Sequence, residues 1–127
     1  MSRKIEDLTP ECQAVFREFE GKMFKAGLPF LTTCTYRSQQ EQDELWAQGR
    51  TKPGRKVTWT TKSRHTQRTA FDIALCKNGK SPHWDVKADV NDNDIPDYKE
   101  AGRIGESVGL TWGGMWSPPD YCHFQLD

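Results

Sequence analysis

The chain has 127 residues, 35% of them hydrophobic and 28% charged. That length can bury one real core without staples, and five Trp, six Phe and three Tyr argue against a disordered polymer. Eighteen basic residues balance eighteen acidic ones, which leaves no general electrostatic case for nucleic acid or an anionic membrane as partner.

Residues 1–7 carry Arg3 and Lys4 but no apolar run behind them, so no signal peptide is expected, and no window approaches a membrane span. Thr9-Pro10-Glu11 predicts a helix start: a capping hydroxyl, proline at the first helical position and an acid in the first turn. Val15, Phe16, Phe19 and Met23 give that helix one apolar face, and Gly27 is placed to close it. Residues 30–37 are rich in β-branched and aromatic side chains and predict a strand. Ser38 to Glu41 forms a capping box that starts a second helix bearing Leu45 and Trp46. Arg37 therefore falls at a strand-to-helix junction, where a side chain can face a site or simply form a surface ion pair.

Residues 49–62 form a basic loop with Gly, Pro and one Trp. It reads as a solvated connector or as one wall of a groove. Residues 70–75 alternate, with Phe71, Ile73 and Leu75 on one side and Ala70, Asp72 and Ala74 on the other. Asp72 thus projects from the face opposite the large apolar residues, with small neighbours that leave room beside it. Residues 78–96 read as a polar loop. Within it Asp89, Asn91, Asn93, Asp97 and Glu100 have the spacing of a calcium-binding loop, although Asp94 stands where glycine is expected. The competing reading makes Asp94 the cap of a helix whose first turn holds Pro96 and Asp97. Ala101, Ile104 and Val108 form the apolar face of that helix, and Gly109 ends it. In the final strand Cys122, Phe124 and Leu126 take the core side, and Tyr121, His123 and Gln125 the other. The four cysteines, Cys12, Cys34, Cys76 and Cys122, form no C-x-x-C pair and are expected to be buried free thiols.

The fold expected is a single α+β domain over residues 1–127, with a small antiparallel sheet carrying a metal site on one face and helices packed on the other. His65, Asp72 and His123 supply the two nitrogens and one oxygen that a catalytic zinc site needs, with a fourth position left for water. Asp120 lies three residues before His123, within reach of an attacking water as general base. His83 is the competing ligand, but no strand is predicted to fix it, and a packing role is preferred.

Ser63-x-His65 through Ala70-x-Asp72 resembles the S-x-H-x-x-G-x-A-x-D signature of zinc peptidases of the D-Ala-D-Ala carboxypeptidase and dipeptidase type. Asp120-x-x-His123, Tyr36-Arg37-Ser38 and Trp112-Gly113-Gly114 are similar to that family's E/D-x-x-H, Y-R-S and W-G-G motifs. Size and the basic Lys52-Pro53-Gly54 loop look most like phage endolysins that act as L-alanyl-D-glutamate peptidases. The resemblance implies His65, Asp72 and His123 as zinc ligands, Asp120 as catalytic base, Arg37 as the group that polarises the scissile carbonyl or its oxyanion, and Ser63 as a hydrogen-bonding contact to substrate. It implies peptidoglycan as partner, with D-Ala-D-Ala carboxypeptidase or dipeptidase action, or a non-catalytic zinc-holding module, as alternatives. A monomer made in the host cytoplasm, passing a holin to reach the wall of a Gram-negative host, is the expected setting. Two adjacent positions depart from the pattern: the family's Leu or Val is Thr69, and the family glycine before it is Arg68, which is strained if the backbone there needs a positive φ and which could turn toward a substrate carboxylate.

Overall fold

A computed structural model describes residues 1–77 and 81–127. Its first helix, α1 (Pro10–Lys25), begins where the sequence signals it, with the Thr9 hydroxyl accepting the Cys12 N–H. It buries Cys12, Phe16, Phe19 and Met23 on one face. Gly27 follows at φ 73°, a backbone that glycine adopts without strain, and the Leu28 N–H returns to the Met23 carbonyl to close the helix.

Strand β1 (Phe30–Cys34) is shorter than the predicted 30–37, because its register slips between Thr32 and Cys34 and the chain then leaves the sheet. Thr35 and Tyr36 instead bond to the backbone of Ser2. The predicted capping box holds: the Ser38 hydroxyl accepts the Glu41 N–H, and the Glu41 carboxylate accepts the Ser38 N–H, opening α2 (Gln39–Ala47). Strand β2 (Ala70–Lys77) is the centre of the sheet. The stretch expected to be loop throughout contains a short strand, β3 (Ser81–His83), paired to β2. Helix α3 (Asp97–Ser107) follows, then β4 (Thr111–Trp112) and β5 (His123–Gln125). The sheet is antiparallel in the order β1-β2-β5-β4, with β3 also on β2.

Phe71, Ile73 and Leu75 of β2, with Phe124 of β5 and Trp112 of β4, meet α1 and α3 in one core. Phe71 stacks on Phe124 with centroids 5.5 Å apart, and Phe16 and Phe19 close over them. Edge-on and tilted contacts of this kind suit the charge distribution of aromatic rings. Ala101, Ile104 and Val108 pack on the core as their spacing predicts. A side chain at Gly105 would lie 2.5 Å from the Phe124 ring, so α3 can sit this close only as glycine. Two expectations fail here. Asp94 does not cap α3: the cap is Pro96 with no side-chain bond, and Asp94 lies in the left-handed region at φ 63°. Tyr121 precedes β5 and escapes its alternation, packing near Trp112 on the core side. Helix α2 adds no residue to this core; its buried residue is Gln42.

Candidate metal centre

The site grows from the cross-strand register. Asp72 on β2 has Cys34 of β1 opposite it on one side and His123 of β5 on the other. Three donor side chains thus form a row across the sheet. His65 reaches the row from a 3₁₀ turn, Arg64–Gln67, capped by the Ser63 hydroxyl, which accepts the His65 N–H.

Both imidazoles are held by their outer nitrogen. His65 is 2% exposed, and its Nδ1 lies 2.8 Å from the Thr35 carbonyl, which can only accept, so Nδ1 carries the proton. Its Nε2 is buried, 3.2 Å from Asp72 Oδ1, with no partner of hydrogen-bond geometry. His123 Nε2 lies 2.9 Å from Gln125 Oε1, and the Gln125 amide donates to Asp127 Oδ1 at 2.7 Å. Since a carboxylate accepts, that amide must present its oxygen to His123. Nε2 therefore carries the proton, and Nδ1 faces Asp72 Oδ1 at 3.1 Å. The two inner nitrogens converge on one carboxylate oxygen.

Charge follows this geometry. Burial would raise the Asp72 pKa, but the close His123 and His65 imidazoles hold it well below the carboxylate range. Burial would lower that of His65, but the adjacent Asp72 carboxylate, with Cys34, raises it to about 10. Asp120 is pushed up, first by desolvation and then by the Asp72 charge. Among the described residues the metal-capable groups are two and overlap at Asp72: Cys34–His65–Asp72 and Asp72–Asp120–His123, each with donor atoms within 4.8 Å of one another. The donors fit zinc: nitrogen and carboxylate ligands, a buried orphan imidazole nitrogen, and outer hydrogen bonds fixing both tautomers.

This centre forms the floor of a cleft of about 860 Å³. Arg37, Ser63 and Asp120 line it, as does the basic stretch from Lys56 to Lys62, which is therefore a wall. Trp116 also lines it, its ring 5.0 Å from that of His123. Gly113 lets the Asp120 backbone come close: a side chain there would meet the Asp120 carbonyl at 2.7 Å.

Other candidates lie elsewhere. His83 packs beside Tyr98, whose hydroxyl donates to the His83 carbonyl, and it joins neither donor group. Arg68 does take a positive φ, 63°, but it lies over the Tyr36 ring and bonds the Asp7 carbonyl, so it does not reach toward a substrate. The calcium expectation is unsupported. Asp89 accepts the N–H groups of Asn93 and Asp94, and Asp97 Oδ2 accepts that of Val90. Asn91 and Asn93 turn their NH₂ groups, not their oxygens, toward Glu100 Oε1. Asp89, Asp97 and Glu100 form no metal-capable group among the described residues. Cys34, Gln42, Trp116 and Gln125 were missed as site residues. Cys34 was hidden by the unknown register, and the Gln125 alternation was the one available signal.

A family model described as D-alanyl-D-alanine carboxypeptidase, of peptidase family M15, matches residues 56–126, more than half of the chain. The chain belongs to the M15 peptidase family. It is 40% identical over 103 residues to the peptidoglycan L-alanyl-D-glutamate endopeptidase CwlK of Bacillus subtilis (strain 168). That match covers 79% of this chain but 62% of the relative, so the chain spans less than two thirds of its length. In fold, the chain is similar to the Serratia marcescens L-Ala D-Glu endopeptidase ChiX, with a TM-score of 0.71 at 23% identity over 97% of this chain and 83% of that one. It is also similar to the vancomycin-resistance D,D-dipeptidase VanXYg, with a TM-score of 0.61 at 19% identity over 94% and 50% of the two chains. The α+β fold is thus that of M15 peptidases. No helix among the described residues is long and apolar enough to cross a membrane.

Proposed function

We propose that this M15 chain is a zinc-dependent peptidase that hydrolyses the L-Ala–D-Glu bond of the peptidoglycan stem peptide, acting as a phage lysis enzyme that reaches the wall through a holin. The observation that carries the reading is the convergence of His65 Nε2 and His123 Nδ1 on Asp72 at the floor of a cleft that Asp120 also lines. The cleft lies near the upper end of the ~300–1,000 Å³ typical of ligand sites, which suits a substrate chain running past the metal.

His65, Asp72 and His123 would hold the ion, which when bound supplies a Lewis acid and lowers the pKa of water to about 7. Asp120 takes the proton of the attacking water and delivers it to the leaving amine. Its raised pKa makes the return step easier. Arg37 faces the cleft with no carboxylate within 4.0 Å among the described residues, so its charge is available to the scissile carbonyl as negative charge develops. The Ser63 hydroxyl accepts from the His65 backbone and keeps its own hydrogen for substrate. The Trp59 and Trp116 rings line the same cleft and add apolar surface to it.

The test is digestion of purified peptidoglycan by the zinc-loaded protein, with mass spectrometry of the new termini. A new D-Glu amino terminus is the expected result. Release of free D-Ala would instead support carboxypeptidase action, the reading favoured by the description of the family model. Absence of any new terminus would leave a zinc-holding binding module.

A further inference from the structure

Gln42 is fully buried, although it lies on the helix that contributes nothing to the apolar core. Its amide orientation is unambiguous. The Arg37 guanidinium can only donate, and its Nη1 lies 2.7 Å from Oε1, so Gln42 turns its oxygen to Arg37. Its NH₂ group then donates to the Thr60 carbonyl at 2.6 Å and to Thr58 Oγ1 at 3.1 Å. One buried amide joins the cationic side chain at the cleft to the wall that carries Trp59. That wall has no strand to hold it. Its other supports from α2 and the following turn are Gln39, which donates to the Thr61 carbonyl, and Arg50, which bridges the carbonyls of Trp46 and Thr58.

We infer that Gln42 is a positioning residue which sets Arg37 and the 58–60 wall at one fixed separation, and which does so without neutralising Arg37. Among the described residues, the other hydrogen-bond partners of the Arg37 guanidinium are two sulfur atoms, Met1 Sδ and Cys34 Sγ. A carboxylate at position 42 would orient the guanidinium at least as firmly, but it would also cancel the charge that an oxyanion needs. It would further set a negative oxygen against the Thr60 carbonyl. A neutral side chain with both an acceptor and two donors meets every requirement of the position. The catalytic half of this inference rests on the peptidase reading, whereas the wall half does not.

The experiment uses the zinc-loaded protein with Gln42→Met and Gln42→Glu, each also made in an Arg37→Ala background. Two quantities are read: NMR backbone order parameters over 58–61, and kcat and KM on a stem peptide. Gln42→Met should drop the order parameters of 58–61 from about 0.85 to below about 0.6 and lower kcat by about 10- to 100-fold, the scale of a misplaced catalytic group. It should lower kcat no further once Arg37 is gone, while still raising KM. Gln42→Glu, which keeps volume and polarity should the Met variant not fold, should lower kcat and loosen 58–61 to a similar degree while keeping Arg37 ordered. Unchanged order over 58–61 in both variants overturns the positioning role. Wild-type kcat in Gln42→Glu, or losses in kcat that multiply with that of Arg37→Ala, overturn the link to Arg37. A wild-type protein that cleaves no stem peptide would refute the peptidase reading, while the order parameters would still decide the wall.

Discussion

The Asp72 cluster and the loop around Asp89–Glu100 both gather side chains that bind cations, yet they are built in opposite senses. At Asp72 the outer nitrogen of each imidazole is occupied by a carbonyl oxygen, Thr35 for His65 and the Gln125 amide for His123, so the inner nitrogens converge and present lone pairs once deprotonated. In the loop the ligand set is largely turned to hydrogen bonds: Asn91 and Asn93 offer NH₂ groups to Glu100, and backbone N–H groups cover both Asp89 oxygens and Asp97 Oδ2, leaving Asn91 Oδ1 and Asp97 Oδ1 without partners among the described residues. The difference shows that ligand spacing in a sequence counts candidate atoms, whereas a metal responds to which way their lone pairs face.

The contrast can be broken most severely at the first cluster. His123→Ala should lose both zinc and activity, and a variant that still holds stoichiometric zinc by metal analysis would remove His123 from the ligand set. Asp120→Ala should keep its zinc and lose at least ~100-fold in turnover, the scale of a general base; near-normal turnover would eliminate that role. Next in size is a proton effect. With its pKa raised to about 10, His65 is protonated at pH 7 in the metal-free protein and must shed that proton to ligate. Zinc affinity should therefore rise with pH through neutrality and level off above about 10. Calorimetry at pH 7 in buffers of different ionisation heat should show proton release, and a heat independent of buffer would contradict it.

At the second cluster the expected effects are small. Burial raises the pKa of Asp97, so its folded pKa exceeds the unfolded one. Its contribution is then fully present below the unfolded carboxylate pKa and is lost as pH rises through the folded value. Asp97→Asn keeps the acceptor for Val90, and should raise the melting temperature at pH 7 by a gain within about 1 kcal/mol. The gain should vanish in acid. A calcium-dependent loss of stability in this variant would instead revive the loop as a cation site. Smallest of all, Arg68→Gly should change stability by less than ~1 kcal/mol, since relief of left-handed strain is offset by glycine entropy and the lost Tyr36 contact. Activity should be unchanged; a large fall in kcat/KM would return Arg68 to the site.

Much of the site was legible because strands have a period of two. The small residues flanking Asp72, and the Cys122-Phe124-Leu126 alternation beside His123, fix the faces before any partner strand is known. The Ser38 capping box and the Thr9-Pro10 start were equally local. Register was not local. That Cys34 lies opposite Asp72 depends on a slip in β1 that nothing in the sequence marks. Gln42 was invisible for a related reason: on a polar helix it resembles any solvated amide, and only the return of residues 58–60 buries it. The Asp94 cap failed because Pro96 took that position, its φ already suited to starting α3.

Strand β5 is three residues long, and it carries Phe124 between His123 and Gln125. The same docking event that seats the Phe124 ring among Phe19, Phe71 and Trp112 delivers His123 to Asp72 from fifty-one positions away. Closing the core and assembling the site are thus coupled through one short strand. Until that strand pairs, His123 is absent from the donor set, so loosening of these three residues alone would open the centre.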